Sequence, residues 1–543
     1  MRVPGTKNSA TQLRRIVGRE FSRLLVEREA LPFGRDGDLP VILRPAGTKG
    51  GDVPEWGRTR SVDRFEYNRV QEEVLGPDAL SEAVWGLKTR QPSESAYWVL
   101  SRDQSRFLFF SGAILGVSFF VAPIETAAAS IMALSALNLG VALFRLGLAW
   151  IASEPNLEPS LPSARPDRLP TLPRYTVMVP MYREARVVPG LIRSIGGLEY
   201  PADRLEIFLV CEEDDQETLS AARGAAAEDL RFRVIAVPAC EPRTKPKALN
   251  YALCFARGEL LVIYDAEDRP ERDQLIKAAR AFAEGASDLA CVQARLNWYN
   301  RDHNWLTRAF ALEYALWFDY MLPGLQRLGA PMPLGGTSNH FKTCALIECG
   351  AWDPFNVTED ADLGLRFMRM GGTVATLDST TLEEATCTSK AWVRQRSRWI
   401  KGYMQTWLVQ MRDPARLRRT AGPMGFAGFL LFVGGVAATS LGNPILWALT
   451  ITATLLWAAG MQSPLPEFFV WWAIVSILLG NFGLIYLNML CALRRRWLDL
   501  VPAALLTPAY WVLFSFAGYK ALWQLIYNPH YWEKTEHGVG DGA

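Results

Sequence analysis

The sequence predicts an α/β domain inserted between transmembrane α-helices. Three observations carry this. Long apolar runs lie on both sides of a polar middle, that middle alternates short β-branched runs with helical patterns, and acidic residues follow directly on two of the β-branched runs. The composition agrees. Half of the 543 residues are hydrophobic and 19 are Trp, yet 21% are charged, which suits a mosaic of soluble and spanning parts in two to four domains. The formal charge of +2 gives no reason to expect a nucleic-acid partner.

Residues 1–100 are polar and rich in Gly, Pro and Arg, with a strand expected at 39–43 and a helix at 74–87. A small regulatory or docking domain and a poorly ordered cytosolic arm are both compatible with them. The first thirty residues lack the apolar core of a cleavable secretory signal. Runs at about 107–123 and 127–151 each approach the length of a membrane-crossing helix and read as a hairpin over 107–151. Gly, Ala and Ser in the second run suit close packing against a neighbouring helix. Residues 154–173 hold six prolines and form a linker.

Past the linker, strands are expected at 175–179, 205–211, 232–237 and 260–264, with helices at 187–196, 216–227 and 245–256. Strands alternating with helices imply a parallel sheet that binds ligands at its carboxyl edge. From about 423 to 526 the chain is apolar again, with candidate segments at 424–440, 443–460, 467–493 and 499–526. If all six apolar segments span, the basic cluster Arg494–Arg496 falls on the side away from the domain, against the positive-inside tendency. An interfacial or re-entrant segment near 424–440 would remove the conflict. The eight cysteines are scattered without a CxxC pair, and seven fall in the polar middle, where a cytosolic thiol stays reduced. The four histidines show no zinc-ligand spacing.

Four clusters carry chemistry. Asp265-Ala-Glu267-Asp268 follows the run Leu260–Tyr264, and acids spaced one apart at a strand end project together and suit a hard divalent cation. Glu212-Glu213-Asp214-Asp215 follows Ile207–Cys211. It reads equally as a ligand-binding edge or as a solvated cap on the next helix. Thr358-Glu359-Asp360 opens a helix, with Thr358 in the N-cap position. Gln395-Arg396-Ser397-Arg398-Trp399 begins an aromatic stripe, Trp399, Tyr403 and Trp407, at four-residue spacing, the pattern of an interfacial helix.

In this order, and flanked by membrane helices, the clusters resemble the processive family 2 glycosyltransferases, such as cellulose synthase, curdlan synthase and related bacterial β-glucan synthases. The resemblance covers about residues 170–410 and implies a GT-A-like fold, a Rossmann-like domain over 170–412 that binds a nucleotide-sugar. It implies a UDP-sugar substrate, a divalent cofactor (Mg²⁺ or Mn²⁺), a growing β-linked polysaccharide as acceptor, and a bacterial inner (plasma) membrane location with the domain cytosolic. It also leaves room for periplasmic or outer-membrane export partners. Asp360 matches the catalytic base within Thr358-Glu359-Asp360. Glu212 and Glu213, with Asp214 beside them, match the acidic pair that contacts uridine, although the family usually has Asp there. Asp265 and Glu267 match the metal- and diphosphate-holding pair, again with Glu for Asp at the second position. Gln395 and Arg398 match the diphosphate-holding pair, and Trp399 matches the residue that stacks on the acceptor sugar. The stretch Lys245–Asn250 adds Lys247 as a donor contact, and Gly335–His340 adds Gly336, Thr337, Ser338, Asn339 and His340 beside the acceptor. Two other functions fit the same residues: addition of one sugar to a lipid-linked acceptor, and an inactive export scaffold.

Overall fold

The computed structural model describes residues 31–36, 39–46, 58–153, 171–461 and 465–533. Most of the linker expected at 154–173 and most of the tail 528–543 lie outside these residues.

A three-stranded sheet, β1 (Leu31–Asp36), β2 (Leu39–Pro45) and β3 (Arg58–Val62), leads into helix α1 (Arg64–Arg90). Asp63 caps this helix by accepting from the Glu66 N–H. It docks on the central domain rather than standing apart. Asn250 Nδ2 donates to the Ala83 carbonyl (3.1 Å), and Arg233 donates to Gln71 and Glu72.

Two apolar helices follow, α2 (Arg102–Val121) and α3 (Pro123–Ser153). Next come β4 (Tyr175–Met181), α4 (Val188–Gly196), β5 (Leu205–Glu212), α5 (Gln216–Ala226), β6 (Phe232–Val237), α6 (Lys245–Leu253) and β7 (Leu260–Ile263), close to the bounds read from sequence. The short β8 (Arg269–Pro270), α7 (Gln274–Glu284), β9 (Leu289–Trp298), α8 (Trp305–Leu316), α9 (Leu322–Leu328), β10 (Asn339–Lys342), α10 (Thr343–Glu348), α11 (Glu359–Arg369) and β11 (Thr373–Glu383) complete the sheet layer. The sheet runs β6-β5-β4-β7-β10-β9-β11-β8. Its first four strands are parallel, as expected, but the sheet as a whole is mixed. β10 pairs antiparallel with both β7 and β9, while β11 is parallel to β9. Apolar clusters cover both faces, one around Val177, Ile207 and Val262, the other around Met178, Phe208 and Leu261. The carboxyl ends of β4, β5 and β7 therefore share one edge, the place where such sheets bind ligands.

Helix α12 (Ser389–Gln410) leads to α13 (Pro414–Phe429), a π-helical turn, α14 (Gly435–Ala458), α15 (Glu467–Arg494) and α16 (Thr507–Tyr527). Sequence led us to expect four apolar segments here; the structure has three. Pro414–Ala458 is one run, so the described residues contain five helices long and apolar enough to cross a membrane. The break expected between 440 and 443 is absent because the helix continues through Pro444. Apolar surroundings and a neighbouring helix tolerate such a proline. The real corner is Gly422, at φ 70° and ψ 173°, a conformation that favours glycine. The basic cluster packs against the domain. Arg495 makes two bonds to Asp319 (2.5 and 2.7 Å) and Arg494 lies 4.9 Å from the Tyr320 ring, so the cluster sits at the domain end of α15.

The final helix does not lead away from the domain. Near its start the Tyr510 hydroxyl accepts from Trp392 Nε1 (3.1 Å), and just past its end Lys401 and Gln405 donate to the carbonyls of Tyr531 and Pro529. It lies along α12 at both ends.

Candidate active site

A cavity of about 450 Å³ opens at the carboxyl edge of the sheet and runs between α3, α14, α15 and α16. Asp265 and Glu267 enter it from the turn after β7, Glu359 and Asp360 from the start of α11, and Gln395, Arg398 and Trp399 from α12. Three chain segments expected to cooperate thus meet in one space.

Each group is held by ordinary forces. Asp360 Oδ1 accepts from the Ala361 N–H (2.8 Å), inside the first helical turn where a carboxylate is favoured. Behind it, Arg366 bonds Asp362 (2.7 Å) and the carbonyls of Cys349 and Ala351 (2.8 and 2.6 Å), all buried. Arg366→Leu would strand the Asp362 charge and two carbonyls. Breaking a buried pair on one side costs about 3–5 kcal/mol. A lowered thermal melting temperature in detergent is the expected readout, and an unchanged melt would remove this anchor from the account.

Thr358 occupies the N-cap position, but its side chain makes no capping bond and its buried Oγ1 has no partner. It is pressed against α12 instead: a Cβ on Gly402 would fall 2.2 Å from Thr358 Oγ1. Glycine at 402 is what allows α12 and the start of α11 to touch. Gly336 lies close to the Asp360 carboxylate, a Cβ there falling 3.4 Å from Oδ2, at the edge of ordinary contact.

Two cations balance the acids. Lys245 bonds Asp265 and the Gly336 carbonyl (2.8 Å for the latter). Burial works against its charge, but Asp265, Glu359 and Asp360 outweigh burial and hold the ammonium above its ordinary value. Arg398 lies in the fields of Glu359, Asp360 and Asp265, with the Trp532 ring 4.7 Å away. Burial raises the Asp360 carboxyl above the usual range, and burial followed by the Asp360 charge raises Glu359 to about 8.

Several expected residues lie elsewhere. Lys247 is fully buried and bonds Glu212 (2.8 Å), so its neighbour Lys245 is the one that faces the cavity. Glu212 reaches the cavity lining, whereas Glu213 and Asp214 are exposed beyond it and Asp214 pairs with Arg243. Gly336 and Thr337 line the cavity, but Ser338, Asn339 and His340 turn into the sheet. Ser338 bonds Thr381 (2.7 Å), Asn339 bonds the Gly335 carbonyl (2.6 Å), and His340 bonds Tyr175 (2.6 Å) and is driven to about 3 by burial. Both faces of β10 are covered, so alternation gives these side chains no open side.

Sequence reasoning also missed residues. Glu313 on α8 takes bonds from Arg396 (2.6 Å) and Tyr510, and the Arg396 guanidinium lies 4.5 Å from the Trp399 ring, so this trio sets the indole in place. Glu383 and Glu384, at the end of β11, also line the cavity. The aromatic stripe faces inward: Trp399 packs near Phe310 and Tyr314, and Tyr403 meets Trp317 edge-on.

The acidic edge suits a divalent ion by its donor set. Asp268 Oδ2 accepts from Thr337 Oγ1 and the Asp265 N–H, but its Oδ1 and the Glu383 Oε1 are buried without partners. As the side chains stand, no three such ligands among the described residues close on one point, and Lys245 takes Asp265.

Residues 173–402 match the family described as "Glycosyltransferase like family 2". Over that segment the chain is similar to the family 2 glycosyltransferases. Curated relatives of this segment include the β-monoglucosyldiacylglycerol synthase of Trichormus variabilis, 26% identical over 46% of this chain and 54% of that protein. A probable glycosyltransferase of Bacillus subtilis is 25% identical over 48% and 62%, respectively. A probable glucomannan 4-β-mannosyltransferase of Arabidopsis thaliana is 27% identical over 42% and 43%. The chain thus spans about half the length of the curated relatives it matches. Among solved structures, a mannosyltransferase from Pyrobaculum calidifontis in complex with GDP-Man and Mn²⁺ covers 73% of this chain and 99% of its own, with TM-score 0.49 and 22% identity.

Proposed function

We propose that the protein transfers a sugar, with inversion, from a UDP-sugar to an acceptor that enters from the membrane side, and that this acceptor is a growing β-linked polysaccharide. The observation that carries the proposal is the continuity of the cavity. Asp360 and Trp399 share it with Asn138, Asn443, Asn481 and Ser515 of the apolar helices. Amide and hydroxyl groups inside a membrane bundle are costly unless they serve a polar occupant. A glycan offers hydroxyls to those amides and C–H faces to Trp399.

In this reading Asp360 takes the proton of the attacking hydroxyl. Lys245, Arg398 and Gln395 receive the diphosphate, and charge developing on the leaving group falls to Arg398. Asp265 and Glu267 would hold Mg²⁺ or Mn²⁺, which would neutralise diphosphate charge. A second reading, one sugar added to a lipid-linked acceptor, is favoured by the glucosyldiacylglycerol synthases among the relatives.

The deciding experiment supplies purified protein in nanodiscs with a panel of UDP-sugars and measures product length. Long polymer supports the first reading. Single-sugar products move the assignment to the second, and UDP binding without turnover would indicate a scaffold.

A further inference from the structure

Strand β11 ends in Leu382-Glu383, with Glu384 next, so acids stand at its carboxyl end as they do at the ends of β5 and β7. β11 pairs antiparallel with β8, Leu382 opposite Arg269 and Thr381 opposite Pro270. One step further in that register sets Glu383 across from Asp268. Directly opposed residues of an antiparallel pair share a face with Cβ atoms about 4.5–5.5 Å apart, and like charges placed so repel. Glu383 is 9% exposed, lines the cavity and has a buried Oε1 with no partner, while Asp268 is 1% exposed with an unpartnered Oδ1. Asp265, Glu267, Asp268 and Glu383 therefore meet at one edge, and the Lys245 bond to Asp265 neutralises one of them. The diphosphate of a nucleotide-sugar brings further negative charge to the same place. Buried carboxylates with free oxygens persist where a cation or donor completes them.

We infer that Glu383 is a ligand of the divalent cation, reaching it from β11 opposite Asp265-Ala-Glu267. The inference rests on the metal-dependent reading above. The carboxylates stand on two facing strands and Lys245 bonds Asp265, so binding an ion requires Asp265 to turn from Lys245.

The test titrates Mn²⁺ into full-length protein in detergent, with and without UDP, and reads bound metal by electron paramagnetic resonance. Removing a ligand or its support typically weakens a metal site about 10–100-fold, so Glu383→Gln is expected to lose Mn²⁺ affinity on that scale, and Glu383→Asp to retain part of it. A melting temperature of Glu383→Gln at or above wild type in metal-free buffer separates lost ligation from lost folding. Should that variant fold poorly, Glu383→Asp alone decides by the same measurement. Mn²⁺ affinity within twofold of wild type in the folded variants would overturn the inference and leave the metal reading intact. Failure of the wild type itself to take up Mn²⁺, with or without UDP, would overturn both.

Discussion

Asp360→Asn should lower kcat by about 10²–10⁴-fold, the usual worth of a positioned general base, and leave the donor KM near wild type. The amide keeps the shape and can still accept from the Ala361 N–H, so loss of folding would not account for the result. The pH profile adds an independent check. Burial raises Asp360, and burial with the neighbouring charge raises Glu359 to about 8. The base works only when ionised, so the rate should climb with pH through a limb lying above the ordinary carboxylate range. Residual activity of the variant should lack that limb. A variant that keeps more than a tenth of wild-type kcat would remove Asp360 from the role of base.

Arg398→Ala should lower kcat by about 10²–10³-fold, the scale seen when a donor aimed at developing charge is removed. Its guanidinium faces Glu359, Asp360 and Asp265, so in the free enzyme it offsets acids, and with donor bound it is placed to meet the leaving diphosphate. Arg398→Lys should recover part of the loss, because a point charge remains while the planar fork that stacks near Trp532 is gone. UDP release against substrate concentration separates the two effects. A rise in KM with kcat intact would make Arg398 a ground-state contact only.

Much of this site was readable in the chain because its acids stand where secondary structure starts or stops. Asp265 and Glu267 follow a strand, Asp360 opens a helix, and those positions aim side chains at one sheet edge. Other features needed the fold. Lys245 and Lys247 sit on the same helix, but two residues turn roughly 200° around its axis, and only packing shows which one meets the core. His340 lies in a motif that resembles an acceptor stretch, yet β10 is a central strand and buries it. Glu383 obeyed the rule that found Asp265 but was passed over because Thr373–Glu383, with its many threonines, was not recognised as a strand. Glu313 sits in an apolar helical stretch, and its partners lie 83 and 197 residues away. The count of membrane segments went astray at Gly442-Asn443-Pro444, read as a break although the helix passes through it.

The last apolar helix is moored at both ends. Tyr510 is tied to Trp392, and the residues after Tyr527 are tied to Lys401, Gln405 and the Phe355 carbonyl. The helix is a strap laid along α12, and both of its moorings fall on or beside the element that carries Arg398 and Trp399. The same mooring couples any sideways shift of α12, and of the arginine and tryptophan it carries, to the position of that strap.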